Sequence, residues 1–215
     1  MSFDLAAFAR TCGVAEPAVF AERCEALRRM LEEANRTTNL TRIVGETEFA
    51  VKHVADSLMI GKVFPELTDR ELRIADVGCG AGFPSLVLAL AYPRLRVTAI
   101  DSTGKKTAFA ADAARQLGLD NLAVVHGRAN ELDRQPGFQR KFDIVTARAV
   151  APAESIVRDC RHFPAPGGRF ILYQSPDRAE TDRAAVKNAR CRITPAFELP
   201  EAAGKRCFLE ILPGK

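Results

Sequence analysis

The sequence of 215 residues has no apolar run that approaches the length of about 20 residues needed to cross a bilayer. Its first residues lack the basic start and apolar core of a secretory signal peptide, which predicts a cytoplasmic protein. None of the six cysteines forms a CxxC pair or a His/Cys pattern with metal-ligand spacing. We therefore expect reduced thiols that pack as small core residues, with no disulfide framework and no metal site.

The composition is that of an ordinary globular protein, with 47% apolar and 27% charged residues. The net charge of +4 is spread unevenly. Residues 1–70 carry 9 basic and 11 acidic side chains, whereas residues 71–150 and 151–215 each carry 11 basic and 8 acidic ones. This mild asymmetry is compatible with a nucleic-acid partner but does not establish one.

Two helices are predicted near the N-terminus. Apolar side chains recur every three or four residues over residues 17–35, and a second helix is expected over residues 47–60 with Val54 and Leu58 pointing inward. We predict that residues 1–70, with these two helices, form a small N-terminal helical cap or lid rather than an independent domain.

From residue 72 the pattern alternates between strands and helices. Strands are predicted over residues 72–77, 95–101, 122–127, 142–149 and 168–174, and helices over residues 83–93, 105–118 and 152–162. The runs at 192–200 and 206–213 indicate an antiparallel hairpin. Residues 71–215 are therefore predicted to form an α/β domain with a mostly parallel, seven-stranded sheet covered on both faces.

The stretch IADVGCGAGFP, residues 74–84, follows the first predicted strand and carries Gly78, Gly80 and Gly82. This GxGxG spacing is not the dinucleotide fingerprint GxGxxG, because Phe83 stands where the third glycine is needed. No Gly-Lys-Ser/Thr ending of a phosphate-binding loop is present. A nicotinamide oxidoreductase is therefore the least favoured interpretation.

Two acidic residues favour S-adenosylmethionine as the ligand of this loop. Asp76 precedes the first glycine by two residues and suits a ligand with a positive charge and no phosphate. Asp101 ends the next strand, where a carboxylate can accept hydrogen bonds from both ribose hydroxyls. The alternative is a purely structural turn with an incidental aspartate.

Six segments together resemble the bacterial small-subunit ribosomal RNA guanine-N7 methyltransferase G family, also called glucose-inhibited division protein B. The segments are NLTRI (39–43), KHVADSL (52–58), DVGCGAGFP (76–84), IDSTGKK (100–106), VVHGRANEL (124–132) and FDIVTARAVAP (142–152). The resemblance implies a class I (Rossmann-like) methyltransferase that acts on 16S ribosomal RNA or the small ribosomal subunit. It also implies cofactor contacts at Gly78, Phe83, Ala129, Asn130 and Arg148.

The chain departs from the family pattern at three places. Ser85 stands where glycine is usual, Asn130 stands where an acid is common, and ILYQSP (171–176) replaces a strand end that often carries Lys-Gly. The last departure lies nearest the expected entrance for the substrate.

The expected chemistry requires no general base, because guanine N7 has a free lone pair and no proton to lose. In agreement, the sequence has neither an Asn/Asp-Pro-Pro-aromatic motif, used on exocyclic amines, nor a Pro-Cys pair, used on pyrimidine rings. We predict no catalytic residue. Arg148 is predicted to orient the methionine carboxylate or a phosphate, with a plain surface arginine as the alternative.

Basic residues outside the loop are candidates for contacts with RNA phosphates. They are Arg28, Arg29, Arg36, Arg42, Arg158, Arg161, Lys187, Arg190 and Arg192. His53 and Asp56, three residues apart on one face of a helix, are expected to contact RNA or cap the pocket, with a buried hydrogen-bonded pair as the alternative. We predict a monomer. The functional alternatives are a methyltransferase of another RNA or of a small molecule, and a ribosome-assembly factor that binds RNA without turnover.

Overall fold

The N-terminal part of the computed structural model, which describes residues 3–43, 45–148 and 150–214, is helical. Helix α1 (Leu5–Thr11) begins where the Asp4 carboxylate accepts a hydrogen bond of 2.9 Å from the Ala7 backbone N–H. Helix α2 (Pro17–Thr38) has proline in its first turn and ends at Asn39, whose φ of 49° is left-handed. The apolar spacing predicts α2 well and misses α1.

The next helical stretch changes its hydrogen-bonding pattern along its length. It consists of α3 (Glu46–Glu48), a π-helical segment (Phe49–Ala55) and α4 (Asp56–Val63), and the short helix α5 (Glu66–Asp69) follows. The sequence predicts a regular α-helix over residues 47–60, and the π-helical segment departs from that prediction. Such segments, in which the backbone hydrogen bonds span five residues instead of four, occur often at functional sites.

Strands and helices then alternate as the sequence predicts, with further helices over residues 129–132 and 176–185 that it does not predict. In chain order they are β1 (Arg73–Val77), α6 (Ser85–Ala91), β2 (Arg96–Asp101), α7 (Gly104–Gln116), β3 (Leu122–His126), α8 (Ala129–Leu132), β4 (Phe142–Arg148), α9 (Ala153–Asp159), β5 (Pro164–Gln174), α10 (Pro176–Ala185), β6 (Ala189–Ile193), β7 (Phe197–Glu198) and β8 (Lys205–Pro213). The last residue of the predicted strand 142–149 lies outside the described residues.

The strands lie in the order β3–β2–β1–β4–β5–β8–β6. The first five are parallel, and β8 is antiparallel to both β5 and β6. The seven predicted strands are all present. An eighth, β7, pairs with β8 off the main path because the run predicted at 192–200 is divided. Pro195 stands at the division, and proline has no N–H with which to continue a ladder.

Two apolar clusters cover the two faces of the sheet. Ile74 belongs to the cluster that also contains Leu27 and Leu58 of the N-terminal helices, whereas its neighbour Ala75 belongs to the cluster with Phe163. This alternation follows from the period of two residues in a strand. The N-terminal helices therefore share one core with the sheet. All six cysteines are free thiols. Five of them are buried, so the predicted packing of the cysteines as mostly core residues is confirmed.

The topology fixes where a ligand can bind. From β1 the chain adds β2 and β3 on one side of the sheet, and then β4 and β5 on the other side of β1. The strand order therefore reverses direction between β1 and β4. Parallel sheets bind ligands beyond the carboxyl ends of the strands at such a position. Within the described residues, no helix has the length and apolar character required to span a membrane.

Candidate functional site

The glycine loop joins β1 to α6 at the reversal point. Gly78 has φ +71° and Gly80 has φ +58°, a left-handed conformation that side chains other than glycine rarely adopt. A Cβ on Gly78 would also lie 2.4 Å from Cγ2 of Val150, whereas a Cβ on Gly80 would meet no atom within 4 Å. Gly80 therefore presents its backbone to open space, where a ligand can approach it.

Asp101, at the end of β2, is oriented by the loop itself. One carboxylate oxygen accepts a hydrogen bond of 2.9 Å from the Gly80 N–H, and the other accepts one of 2.8 Å from the Thr103 N–H. The side chain is half-buried and faces the space above the glycine loop. It is thus held in one orientation with part of its surface free.

Asp76 lies beneath the loop and not in the space above it. Its side chain has no exposed surface, and it accepts hydrogen bonds from the hydroxyls of Ser85 and Thr146. Burial raises its pKa to about 6, while the two hydroxyls oppose that rise. The direct contact with a ligand that the sequence predicts for Asp76 therefore needs correction to an indirect role. Ser85, a departure from the family pattern, is one of the two side chains that donate to this carboxylate.

Arg148 closes β4 and reaches across to the N-terminal helices. Its Nη1 donates to the Lys52 carbonyl at 2.8 Å and to Oδ2 of Asp56 at 3.0 Å, and its Nη2 lies 3.3 Å from Nδ1 of His53. The other Asp56 oxygen is buried without a hydrogen bond, with Nε of Arg206 at 3.7 Å. The sequence gives no indication of these contacts, which join residues more than 90 positions apart.

The contacts of Arg148 with the N-terminal helices form one wall of the site. His53 connects this wall to the glycine loop. Its ring stacks on Phe83, with centroids 4.1 Å apart and planes inclined by 17°. Burial and the neighbouring charge of Arg148 lower the pKa of His53 to about 3, so the imidazole is neutral near pH 7. Its Nε2 lies 3.3 Å from the hydroxyl of Thr41.

These groups surround a cavity of about 1070 Å³ at the carboxyl edge of the sheet. Pockets for small ligands usually measure about 300–1000 Å³, so this one can hold a cofactor and part of a second molecule. Of the predicted cofactor residues, it is lined by Gly78, Gly80, Phe83, Asp101 and Arg148.

The other predicted site residues lie elsewhere. Ala129 and Asn130 begin α8 and do not line the cavity, and neither does Asp76. The same is true of all the basic residues proposed for RNA. Several of those form an ion pair with an acidic residue of the chain, namely Arg28, Arg29, Arg36, Arg158 and Arg192.

The cavity contains functional candidates that sequence reasoning missed. It is also lined by Thr41, Lys106, Arg178 and Arg206. Their only signal in the sequence is that Thr41 and Lys106 lie within segments that resemble the family. Among the described residues, no group of three or more metal-ligating side chains lies together.

Comparisons with known sequences place the chain in one family. A family model described as rRNA small subunit methyltransferase G matches residues 21–203. The proteins named Ribosomal RNA small subunit methyltransferase G from Lactobacillus delbrueckii subsp. bulgaricus and Solibacter usitatus are each 39% identical. The alignment with the Lactobacillus protein covers 86% of this chain and 82% of that protein. The alignment with the Solibacter protein covers 85% of this chain and 85% of that protein.

Solved structures match at the level of the fold. The fibrillarin pre-rRNA processing protein of Methanococcus jannaschii has a TM-score of 0.58 and 19% identity, with 75% of this chain and 74% of that one covered. Aeropyrum pernix fibrillarin, in complex with natively bound S-adenosylmethionine, has a TM-score of 0.58 and 15% identity, with 74% and 73% covered. These similarities support the predicted class I methyltransferase fold.

Proposed function

Because the chain belongs to the rRNA small subunit methyltransferase G family, we propose that it methylates N7 of a guanine in 16S ribosomal RNA with S-adenosylmethionine as the methyl donor. The observation that carries this proposal is the convergence of the glycine loop, Asp101 and Arg148 on one cavity. As a member of this family it is an S-adenosylmethionine-dependent methyltransferase, in agreement with the sequence prediction.

The residues of the loop and of Asp101 fit the adenosyl half of the cofactor. Each Asp101 oxygen accepts one backbone hydrogen bond, and a carboxylate oxygen can accept two. One acceptor position on each oxygen therefore remains for a ribose hydroxyl. The open space above Gly80 lets the ligand approach the backbone closely. Ala129 and Asn130 are proposed on the resemblance alone to contact the adenine.

Arg148 fits the methionine half. Three of its five N–H groups are used by Lys52, His53 and Asp56, and the Nε–H has no partner among the described residues. We assign Nε–H and the remaining Nη2 hydrogen to the methionine carboxylate. Asp76, beneath the loop, supplies a negative charge that favours a cationic ligand without touching it.

The bound cofactor supplies an electrophilic methyl group on a sulfonium. The protein has to hold guanine N7 in line with that methyl and to exclude water from the cavity. N7 carries no proton in neutral guanine, so no side chain has to act as a general base. The neutral, hydrogen-bonded His53 suits this scheme as a structural member of the wall.

The substrate RNA is proposed to enter over the open side of the cavity. Lys106, Arg178 and Arg206 line the cavity, and Lys106 forms no ion pair with any described residue. The basic residues predicted from the sequence lie farther out, and they remain proposals for distal phosphate contacts. We further propose that the protein acts as a cytoplasmic monomer, because the described residues of one chain surround the cavity on their own.

Mapping N7-methylguanine in small-subunit ribosomal RNA tests the function. RNA from a strain that lacks the protein should lose one such site, and the purified protein with S-adenosylmethionine should restore it. If the RNA is bound but never methylated, the chain is a non-catalytic assembly factor. If methyl transfer occurs only to another RNA or to a small molecule, and is insensitive to salt, the ribosomal assignment is wrong.

A further inference from the structure

The protonation of His53 can be assigned from its two partners. An arginine side chain only donates hydrogen bonds, so the Nδ1 atom that faces Nη2 of Arg148 must be the acceptor. A neutral imidazole with Nδ1 unprotonated carries its hydrogen on Nε2. The lowered pKa of His53 agrees with a neutral ring. The Nε2–H group therefore donates to the hydroxyl oxygen of Thr41, 3.3 Å away.

This assignment decides the role of the Thr41 hydroxyl. Its oxygen also accepts a hydrogen bond of 3.1 Å from the Ile43 backbone N–H. A hydroxyl has two acceptor positions and one hydrogen, so both acceptor positions are used. The hydrogen has no acceptor among the residues that the structure describes. Thr41 lines the cavity, and its hydroxyl is therefore available there only as a donor.

The Thr41 backbone is held in place from the other side. Oδ1 of Asn35 accepts from the backbone N–H of Thr41 at 3.0 Å and from that of Leu40 at 2.7 Å, while the Asn35 amide donates to the Thr41 carbonyl at 3.0 Å. A donor whose backbone and hydroxyl oxygen are both fixed loses little entropy when it binds a ligand. These contacts indicate a binding group that is positioned in advance.

The surroundings of Thr41 suit a flat, neutral acceptor. Leu40 and Ile43, on either side of it, also line the cavity. The charged carboxylate of the cofactor has a stronger donor in Arg148. With Asp56 between Arg148 and Arg206, that cluster carries one net positive charge, which one carboxylate can balance.

We propose that the Thr41 hydroxyl donates a hydrogen bond to O6 of the target guanine and so selects guanine over adenine. This inference rests on the proposed function. Guanine has an acceptor at position 6 beside N7, whereas adenine has an amino group there that can only donate. A fixed donor therefore stabilises guanine at this place and leaves an adenine amino group facing another donor.

The test compares Thr41→Val with Thr41→Ser in methylation of unmodified small-subunit ribosomal RNA. The valine variant should lose about tenfold in kcat/KM for RNA, while the serine variant should remain within about threefold of wild type. Both should bind S-adenosylmethionine with a nearly unchanged Kd. Thr37→Val, at an exposed threonine on α2, is the matched control and should behave like wild type.

A ligated RNA with 2-aminopurine at the methylated guanine provides the second arm, because this base keeps N7 and lacks O6. On that RNA the difference between wild type and Thr41→Val should disappear, an effect that a merely structural role of Thr41 would not produce. An equal tenfold loss on both RNAs, or no loss on either, overturns the proposal. A parallel rise in the cofactor Kd also overturns it and assigns Thr41 to the cofactor. If wild type itself methylates no RNA guanine, the proposed function has failed instead.

Discussion

Replacing Asp76 with asparagine is expected to stabilise the fold at neutral pH and to weaken cofactor binding. The carboxylate has no exposed surface, and burial raises its pKa from 3.8 to about 6. Its pKa in the folded protein lies above the unfolded value, so the folded state binds this proton more tightly. The ionisation of Asp76 therefore lowers the free energy of unfolding as the pH rises from about 4 to about 6.

The magnitude follows from the size of the shift. A change of about two pKa units corresponds to about 3 kcal/mol, at 1.36 kcal/mol per unit. Asparagine resembles the protonated acid and cannot ionise. The variant should therefore exceed wild type in free energy of unfolding by about 1 kcal/mol at pH 4.5 and by about 3 kcal/mol at pH 7 and above.

Urea unfolding of both proteins between about pH 4.5 and pH 8 measures this difference, and the subtraction removes the titration of the other groups. A difference that stays constant with pH would refute a raised pKa. A less stable variant at pH 7 would mean that the hydrogen bonds from Ser85 and Thr146 outweigh the cost of burial. Ser85→Ala is the matched variant, because it keeps the charge but removes one group that lowers the pKa.

Three further results are expected. Asp101→Ala should weaken S-adenosylmethionine binding by about 1–3 kcal/mol in calorimetry, because the ribose loses a charged acceptor, whereas Asp112→Ala at an exposed carboxylate should not. Gly61→Ala should destabilise the fold by about 2 kcal/mol or more in urea unfolding, since its Cβ would lie 2.0 Å from the Tyr92 hydroxyl; a stability equal to wild type would contradict that packing. Lys106→Gln should reduce the slope of log binding constant against log salt for ribosomal RNA by about 0.7–0.9, and an unchanged slope would remove Lys106 from the RNA surface.

Much of the fold is readable from the sequence because most strands are short runs rich in apolar residues that alternate with helices. The strand predicted at 95–101 is found at Arg96–Asp101, and that at 122–127 at Leu122–His126. Helix α10 was missed because its sequence PDRAETDRAA is largely polar and buries only Ala179 and Asp182. The comparisons confirm the family, which the six similar segments predict. They also confirm S-adenosylmethionine as the cofactor, which the glycine loop and Asp101 predict.

The contacts that form the wall of the site could not be predicted from the sequence. Nothing local to residues 41, 53 or 148 indicates that these side chains form one hydrogen-bonded chain, since the contact depends on how the N-terminal helices pack on the sheet. The prediction for Asp76 fails for a different and local reason. Sequence spacing placed it next to the glycines, but the side chains of a strand alternate between faces, and this one points into the protein.

The contacts of Arg148 bear on the proposed division at residue 70 into a helical cap and a methyltransferase domain. Two of its acceptors, the Lys52 carbonyl and the Asp56 carboxylate, belong to the N-terminal helices. The Tyr173 hydroxyl at the end of β5 also donates to the Ser57 carbonyl at 3.0 Å. If the N-terminal helices moved as a lid, Arg148 would lose these partners and with them the orientation of its remaining donors. Opening would also expose to water the apolar surface that Leu27 and Leu58 share with Ile74 of the sheet. That cost favours a cap that stays fixed on the sheet and forms a permanent wall of the site.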